Sequence, residues 1–233
     1  MVERRSPVGT IVAQEGEQVR AGGCFITFEG PEGAGKTTQI ERLRRRLEKD
    51  GVVVIQTREP GGTVIGQELR AMLLMPERPP LAPETEALLM IADRAQHVAE
   101  VIRPALAAGM IVISDRYADS TLAHQGFGKG LDLAALEAIM PFATGGLKPD
   151  RTFLLDVDVR LGLNRKRKGY ADGDGEELNR IDLRDLSYHE RVREGFLTLA
   201  KRSPERFVVL DAGQPADTLA DEVWTHLSAV RCR

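Results

Sequence analysis

The sequence predicts an α/β sandwich around a five-stranded parallel sheet, and three observations carry that prediction. Short β-rich apolar runs recur along the chain, segments of helical character lie between them, and a glycine-rich loop joins the first run to the first helix. Runs this continuous suit strands buried on both faces of a parallel sheet. Strands alternating with helices then require right-handed crossovers and a three-layer α/β/α sandwich.

The elements follow in order. "CFITFE" (24–29) is the first strand, and "KTTQIERLRRRLEKDG" after the glycine-rich loop is a helix closed by a glycine. "VVVIQTR" (52–58) is the second strand, followed by a proline–glycine turn and a helix that carries Arg70. Pro-rich "MPERPPLAPET" (75–85) links that helix to "ETEALLMIADRAQHVAEVIRPALAAG". "MIVISD" (110–115), "TFLLDV" (152–157) and "FVVLD" (207–211) are the remaining strands, with "DLAALEAIMPFA" and "LSYHERVREGFLTLAKR" as helices between them. "GYADGDGEELN" (169–179) is a polar, glycine-bearing loop, and Trp224 sits in a C-terminal helix pattern explained by packing. Residues 1–23 are expected to be a mobile, disordered tail and residues 24–233 a single domain.

Composition narrows the function. With 233 residues, 42% of them hydrophobic, the chain can bury one core. A formal charge of −3 provides no global basic field, so nucleic acid is not an expected partner. No run is long and apolar enough to span a bilayer, and Cys24 and Cys232 are too few for a disulfide framework. The N-terminus lacks the apolar segment of a signal peptide. These readings point to a cytoplasmic protein without a membrane partner.

Gly30, Pro31, Glu32, Gly33, Ala34, Gly35, Lys36 and Thr37 fit the P-loop pattern G-x-x-x-x-G-K-[ST], with Thr38 following. The glycines let backbone N–H groups face phosphate, Lys36 reaches the β- and γ-phosphates, and Thr37 holds Mg²⁺. The loop fixes a nucleoside triphosphate site without naming the reaction. A phosphotransferase and a hydrolysing switch both remain. A guanine-specific switch needs an N-K-x-D-like reader at a strand end; Asn179-Arg180-Ile181-Asp182 is close in letters but follows a polar loop, and "DGDG" (172–175) is a similarly accidental match. A transferase needs basic groups for an acceptor. "TREPGGT" (57–63) supplies Arg58, Glu59 and Pro60 past the second strand, and "SDRYADSTLAHQG" (114–126) supplies Asp115 and Arg116 past the third. Strand ends of such a sheet are where ligands gather.

With these pieces the sequence resembles the thymidylate kinase family of P-loop kinases. "FEGPEGAGKTT", "TREPGGT", "ADRAQH", "DRYADSTLAHQG", "NRKRKG" and "DAGQP" occur in the family's order over about residues 24–215. The resemblance implies transfer of the ATP γ-phosphate to dTMP, with Mg²⁺ arriving with ATP and a homodimer packed through helices. It implies that Lys36 and Thr37 serve ATP and Mg²⁺ and that Asp115 helps order the metal and its waters. Glu32 would meet the acceptor's 3′-hydroxyl, with Glu29 close by, and Arg58 and Arg116 would hold its phosphate, with Arg70 a further acceptor-site candidate. Arg94, Thr121 and Gln125 would read the thymine edge, and Gln214 and Pro215 would pass near adenine. The loop's variable positions contain no cation, so the resemblance implies a catalytic arginine in a mobile lid at about 164–180, Arg165 or Arg167, with Arg180 a further candidate.

Two positions depart from the family's pattern. Met90 stands where an aromatic residue usually stacks on thymine; a thioether can also pack on a π face, and an ordinary core methionine is the other reading. His124 stands where a tyrosine usually disfavours a ribose 2′-hydroxyl. The chemistry itself requires no general base: a nucleotide monophosphate has a second pKa of about 6, so its oxygens are already largely ionised near neutrality. The site motifs accordingly offer charge and position. Other monophosphate or deoxynucleoside kinases remain alternatives.

Overall fold

The computed structural model describes residues 10–12, 18–20, 23–173 and 178–228. In the expected tail it describes strands β1 (Thr10–Val12) and β2 (Gln18–Arg20), paired antiparallel. The rest of the tail, the centre of the polar loop and Cys232 lie outside the described residues. Next come β3 (Cys24–Glu29), α1 (Lys36–Lys49), β4 (Val54–Arg58), α2 (Val64–Leu74) and α3 (Pro83–His97). A π-helical turn, Val98–Ile102, carries α3 into α4 (Arg103–Ala107). β5 (Ile111–Asp115) leads to α5 (Ala118–Thr121), a second π-helical segment Leu122–Gly128, and α6 (Leu133–Thr144). The chain ends its described course with β6 (Arg151–Asp156), α7 (Val159–Ala171), α8 (Leu186–Arg202), β7 (Phe207–Asp211) and α9 (Ala216–Ser228).

The five-stranded sheet has the order β4-β5-β3-β6-β7, parallel throughout. Alternation along each strand sorts the core between two faces. Ile26 and Phe28 of β3, Ile113 of β5 and Phe153 and Leu155 of β6 meet Ile40, Leu43 and Leu47 of α1 and Leu219 and Val223 of α9. Phe25 and Val112 turn the other way, onto Val98, Ile102 and Tyr117, and Leu154 meets Val192 and Phe196 of α8. Burying a side chain of this size contributes about 1.5–3 kcal/mol. The expectation of strands buried on both faces holds for β3, β5 and β6 but not at the edges. β4 is only partly buried and Val209 of β7 is 48% exposed, because an edge strand has a neighbour on one side only. Cys24 is buried. Trp224 packs on the α1 and α9 side of the core with the Arg46 guanidinium 4.1 Å from its ring centroid. No described helix is long and apolar enough to cross a membrane.

Parallel register brings three strand ends side by side. Phe28 and Arg58 both pair with Asp115, so the exits of β3, β4 and β5 converge, and the loop after β3 lies among them. This is the edge where ligands bind in open α/β sheets.

Candidate active site

The loop between β3 and α1 is shaped for an anion before any ligand arrives. Helices α2, α7 and α8 begin with side-chain caps: Thr63 accepts from Gly66 N, Asp158 from Leu161 N and Asp185 from Tyr188 N. α1 instead begins at Gly35, φ 86°, with no side-chain cap. Its first amide groups and the positive end of its dipole are thus left for a ligand. Lys36 Nζ donates to Gly30 O at 3.1 Å and Pro31 O at 3.0 Å. Burial and the nearby Arg116 charge lower Lys36 to about 8, against the pull of Glu32 and Asp115. Thr37 Oγ1 donates to Asp115 Oδ2 at 3.3 Å, so these expected metal-facing residues are adjacent.

A cavity of about 430 Å³ opens from this loop toward the ends of β4 and β5. Glu32, Gly33, Ala34, Gly35, Lys36, Thr37 and Thr38 line one end, and Arg58, Glu59, Pro60, Arg70, Met90 and Arg94 the other. Asp115, Arg116, Thr121, Gln125, Arg165 and Lys166 also reach it. Of the expected residues, Glu29, Gly30, Pro31, Arg167, Arg180, Gln214 and Pro215 do not line it. Gly30 and Pro31 act through their carbonyls on Lys36, while Gln214 donates to Glu222 at 2.9 Å beyond β7. Met90 is half-buried, lining the cavity and packing on the core behind it.

Arg116 stands between the two ends. Its φ of 76° is rare for a residue with a side chain. The turn is over-determined, as such strained positions require. Arg116 N donates to Phe28 O at 3.0 Å, Ser114 Oγ to Arg116 O at 2.8 Å, and Tyr117 N and Ser120 Oγ to the Glu29 carboxyl at 2.8 and 2.6 Å. Burial and neighbouring Asp119 push Glu29 up to about 8. Glu29 is therefore a brace for this turn. The Arg116 guanidinium reaches Glu32 Oε1 at 2.5 Å, Ser120 Oγ at 3.1 Å and His124 Nε2 at 3.1 Å. Burial would raise Glu32, but Arg116, Lys166 and Lys36 hold it well below the usual carboxylate range. Burial and Arg116 likewise keep His124 neutral near pH 7, well below its ordinary value. Arginine can only donate, so Nε2 accepts and Nδ1–H points to Tyr188 Oη at 3.0 Å.

Behind the acceptor end lies a buried charge network. Glu59 accepts from Arg94 Nε at 2.8 Å and lies 2.8 Å from His97 Nδ1, whose other nitrogen is 2.6 Å from Thr57 Oγ1. Arg94, 2% exposed, also donates to Thr121 Oγ1 at 3.0 Å and Tyr117 O at 2.8 Å. Gln125 donates to Glu86 at 2.9 Å. Asp93 holds Gly61 N at 3.0 Å and is pushed to about 6 by burial and by Glu59. Glu59, expected to line the acceptor site, does so with both oxygens already committed to protein.

The basic run "RKRK" is helical, not part of a loop, because α7 continues to Ala171. Its start is fixed against the phosphate loop backbone to backbone. A Cβ on Gly33 (φ +71°) would fall 1.9 Å from Gly162 O, and one on Gly162 2.2 Å from Glu32 O. One turn later Lys166 approaches Glu32 Oε2 at 3.6 Å and Asp182 Oδ1 at 2.9 Å. Arg165 donates to Ala212 O at 2.7 Å, while Arg167 points to solvent. Nothing in the run marks Lys166, because its helical phase relative to Gly162 matters only once the phosphate loop packs on α7. Nor does the sequence mark Ser120 and Glu86, whose contacts exist only in the folded chain. Asn179 accepts from Ile181 N at 2.8 Å, so "NRID" is a local turn and not a base reader.

The family whose sequence model matches is thymidylate kinase, over residues 28–223. The chain is 52% identical over 207 residues to thymidylate kinase of Deinococcus radiodurans, covering 88% of this chain and 97% of that one. It is 50% identical over 209 residues to that of Thermomicrobium roseum, covering 90% and 96%. Among solved structures, thymidylate kinase from Ehrlichia chaffeensis superposes with a TM-score of 0.70 at 33% identity, covering 88% of this chain and 99% of that one.

Proposed function

The chain belongs to the thymidylate kinase family of ATP-dependent phosphotransferases, and from that premise we propose that it transfers the ATP γ-phosphate to dTMP, giving dTDP and ADP. The observation that carries this reading is the shared cavity: an uncapped helix start with its lysine and a cluster of arginines line one volume, so two anions can meet in it. A switch that only hydrolyses nucleotide has no use for the second cluster.

Donor phosphates bind the amide groups of the loop and Lys36. Thr37 and Asp115 offer hard oxygens next to each other, a donor set that suits Mg²⁺ bound mainly to ATP phosphates and water. When bound, the ion would neutralise charge on the transferring group. Arg58 and Arg116, with Arg70 beside them, hold the dTMP phosphate. Thr121, Gln125 and Arg94 face the base, Met90 packs on it, and Glu32 meets the 3′-hydroxyl. Glu59 acts by fixing Arg94 and not by touching dTMP. An ionised oxygen of dTMP attacks the γ-phosphorus, the bond to the β–γ bridging oxygen breaks, and ADP leaves with that electron pair. No proton has to be removed first. Arg165, which lines the cavity, is the better candidate than Arg167 for the arginine over the phosphates, and residues 164–180 act as the lid that excludes water. Gln214 and Pro215 lie toward adenine.

ADP release from MgATP, with dTMP, dUMP, UMP, dCMP, dGMP, thymidine or no acceptor and with products identified, tests the assignment. Release that depends on dTMP and yields dTDP is expected. Acceptor-independent release would remove dTMP from the mechanism. Exposed Val64 and Ile65 on α2, Leu88 on α3 and Phe142 on α6, the last 90% exposed, support a homodimer packed through helices. Sedimentation showing only monomer at micromolar concentration would count against it.

A further inference from the structure

Beside the acceptor end lies a second cavity, of about 600 Å³, between the α2–α3 linker and the start of α8. Arg78, Lys129, Arg180, Arg184 and Arg191 line it against only two carboxylates, Glu86 and Asp185. Neither carboxylate is free. Asp185 caps α8, and Glu86, 1% exposed, is shared by Lys129 at 2.6 Å, Arg184 at 3.2 Å and Gln125 at 2.9 Å. Positive charge is therefore left over in a concave site. Arg184 Nε is buried without a hydrogen-bond partner, and Arg180 Nη2 has only long contacts, 3.3 to 3.4 Å, to backbone carbonyls. The lining also has apolar members, Pro76, Pro80, Leu81 and Pro83, with Tyr188 beneath the Arg184 guanidinium, 4.7 Å from its ring centroid. Basic and apolar groups lining one concave site match a ligand that carries both phosphates and a flat ring, and the volume suits it.

We propose that this cavity is a second binding site for a nucleoside triphosphate, separate from the transfer site and coupled to it. Two contacts carry the coupling. Glu86 holds Gln125, which lines the transfer cavity, and Tyr188 holds His124, which touches Arg116. Burial lowers Lys129 despite Glu86, and the Arg184 and Arg180 charges lower it further, so an anion entering here relieves crowded positive charge. Drawing Lys129 and Arg184 off Glu86 changes what holds Gln125.

The test is equilibrium dialysis of labelled dTTP, with GTP and inorganic pyrophosphate as separate probes. The full chain is first saturated with dTMP and a non-hydrolysable ATP analogue. One dTTP or GTP per chain is expected to bind still, at least tenfold more weakly to R184A/R191A and to R78A/R191A, and pyrophosphate more weakly than either. Both variants are expected to keep the wild-type kcat without added effector, which shows that they fold. At saturating ATP, filling the site is expected to shift the KM for dTMP twofold or more at constant kcat. No binding beyond the transfer site, or binding indifferent to both substitutions, overturns the site. Pyrophosphate binding as tightly as dTTP overturns the nucleotide class, and binding without a KM shift overturns the coupling.

Discussion

At the donor end of the transfer cavity the ligand-facing groups are amides at an uncapped helix start and a lysine held by two carbonyls. At the acceptor end, Arg94 and Arg116 are already paired with Glu59 and Glu32 before any ligand arrives. The first end is local backbone geometry, complete within one stretch of sequence. The second is tertiary electrostatics assembled from α3 and the segments after β3, β4 and β5. The donor end should therefore tolerate substitution in stability and lose it in turnover, whereas part of the acceptor end is also structural. Four substitutions and one titration, from the largest expected effect to the smallest, bear on that contrast.

Glu59→Ala leaves Arg94 without its carboxylate in a site 2% exposed and removes one of the two partners of His97. Breaking a buried pair costs about 3–5 kcal/mol. Urea unfolding is expected to show a loss of that size, and a loss below about 1 kcal/mol would mean that the network does not brace the acceptor end.

Lys36→Ala is expected to lower kcat about 10²- to 10³-fold without lowering Tm. The sign follows from its depressed value of about 8. Between there and an unfolded value near about 10.4 the unfolded chain holds more protons, so stability rises with pH across that window. Below about 8 the cost of burying the charge is fully present, and removing the amine relieves it. A marked fall in Tm at pH 7 would contradict the contrast.

Arg165→Ala should lower kcat by about tenfold or more, as loss of a charge meeting the transferring group does. Arg167→Ala should change it by less than about twofold, as expected for a solvated surface side chain. Equal effects would mean that the two arginines act together. Last, ATP phosphates restore the protonated Lys36, so binding at a pH near 8 should take up roughly half a proton. Calorimetry in buffers of different ionisation enthalpy reads this uptake, which should vanish in Lys36→Ala.

The same contrast governs what could be read from the sequence. The loop was legible residue by residue because its function is spacing within one stretch, and β7 has the predicted bounds. β4 begins at Val54, two residues later than the apolar run predicts, because hydrophobicity marks burial and not ladder pairing. The arginines Arg58 and Arg116 were legible as strand-end charges. Their partners were not: Glu59 reads as a substrate contact until Arg94 and His97 arrive from α3. Lys166 was hidden among four adjacent basic residues that differ only in helical phase, and Gly162 carries no signal until the phosphate loop packs on it.

The central claim is that one cavity holds donor and acceptor together, and an inhibitor that joins adenosine to thymidine through a 5′,5′-polyphosphate tests it most directly. Initial-rate kinetics should show it competitive with ATP and also with dTMP, with an inhibition constant below the KM of either. Competition with ATP alone, with dTMP affinity unaffected, would contradict the shared cavity.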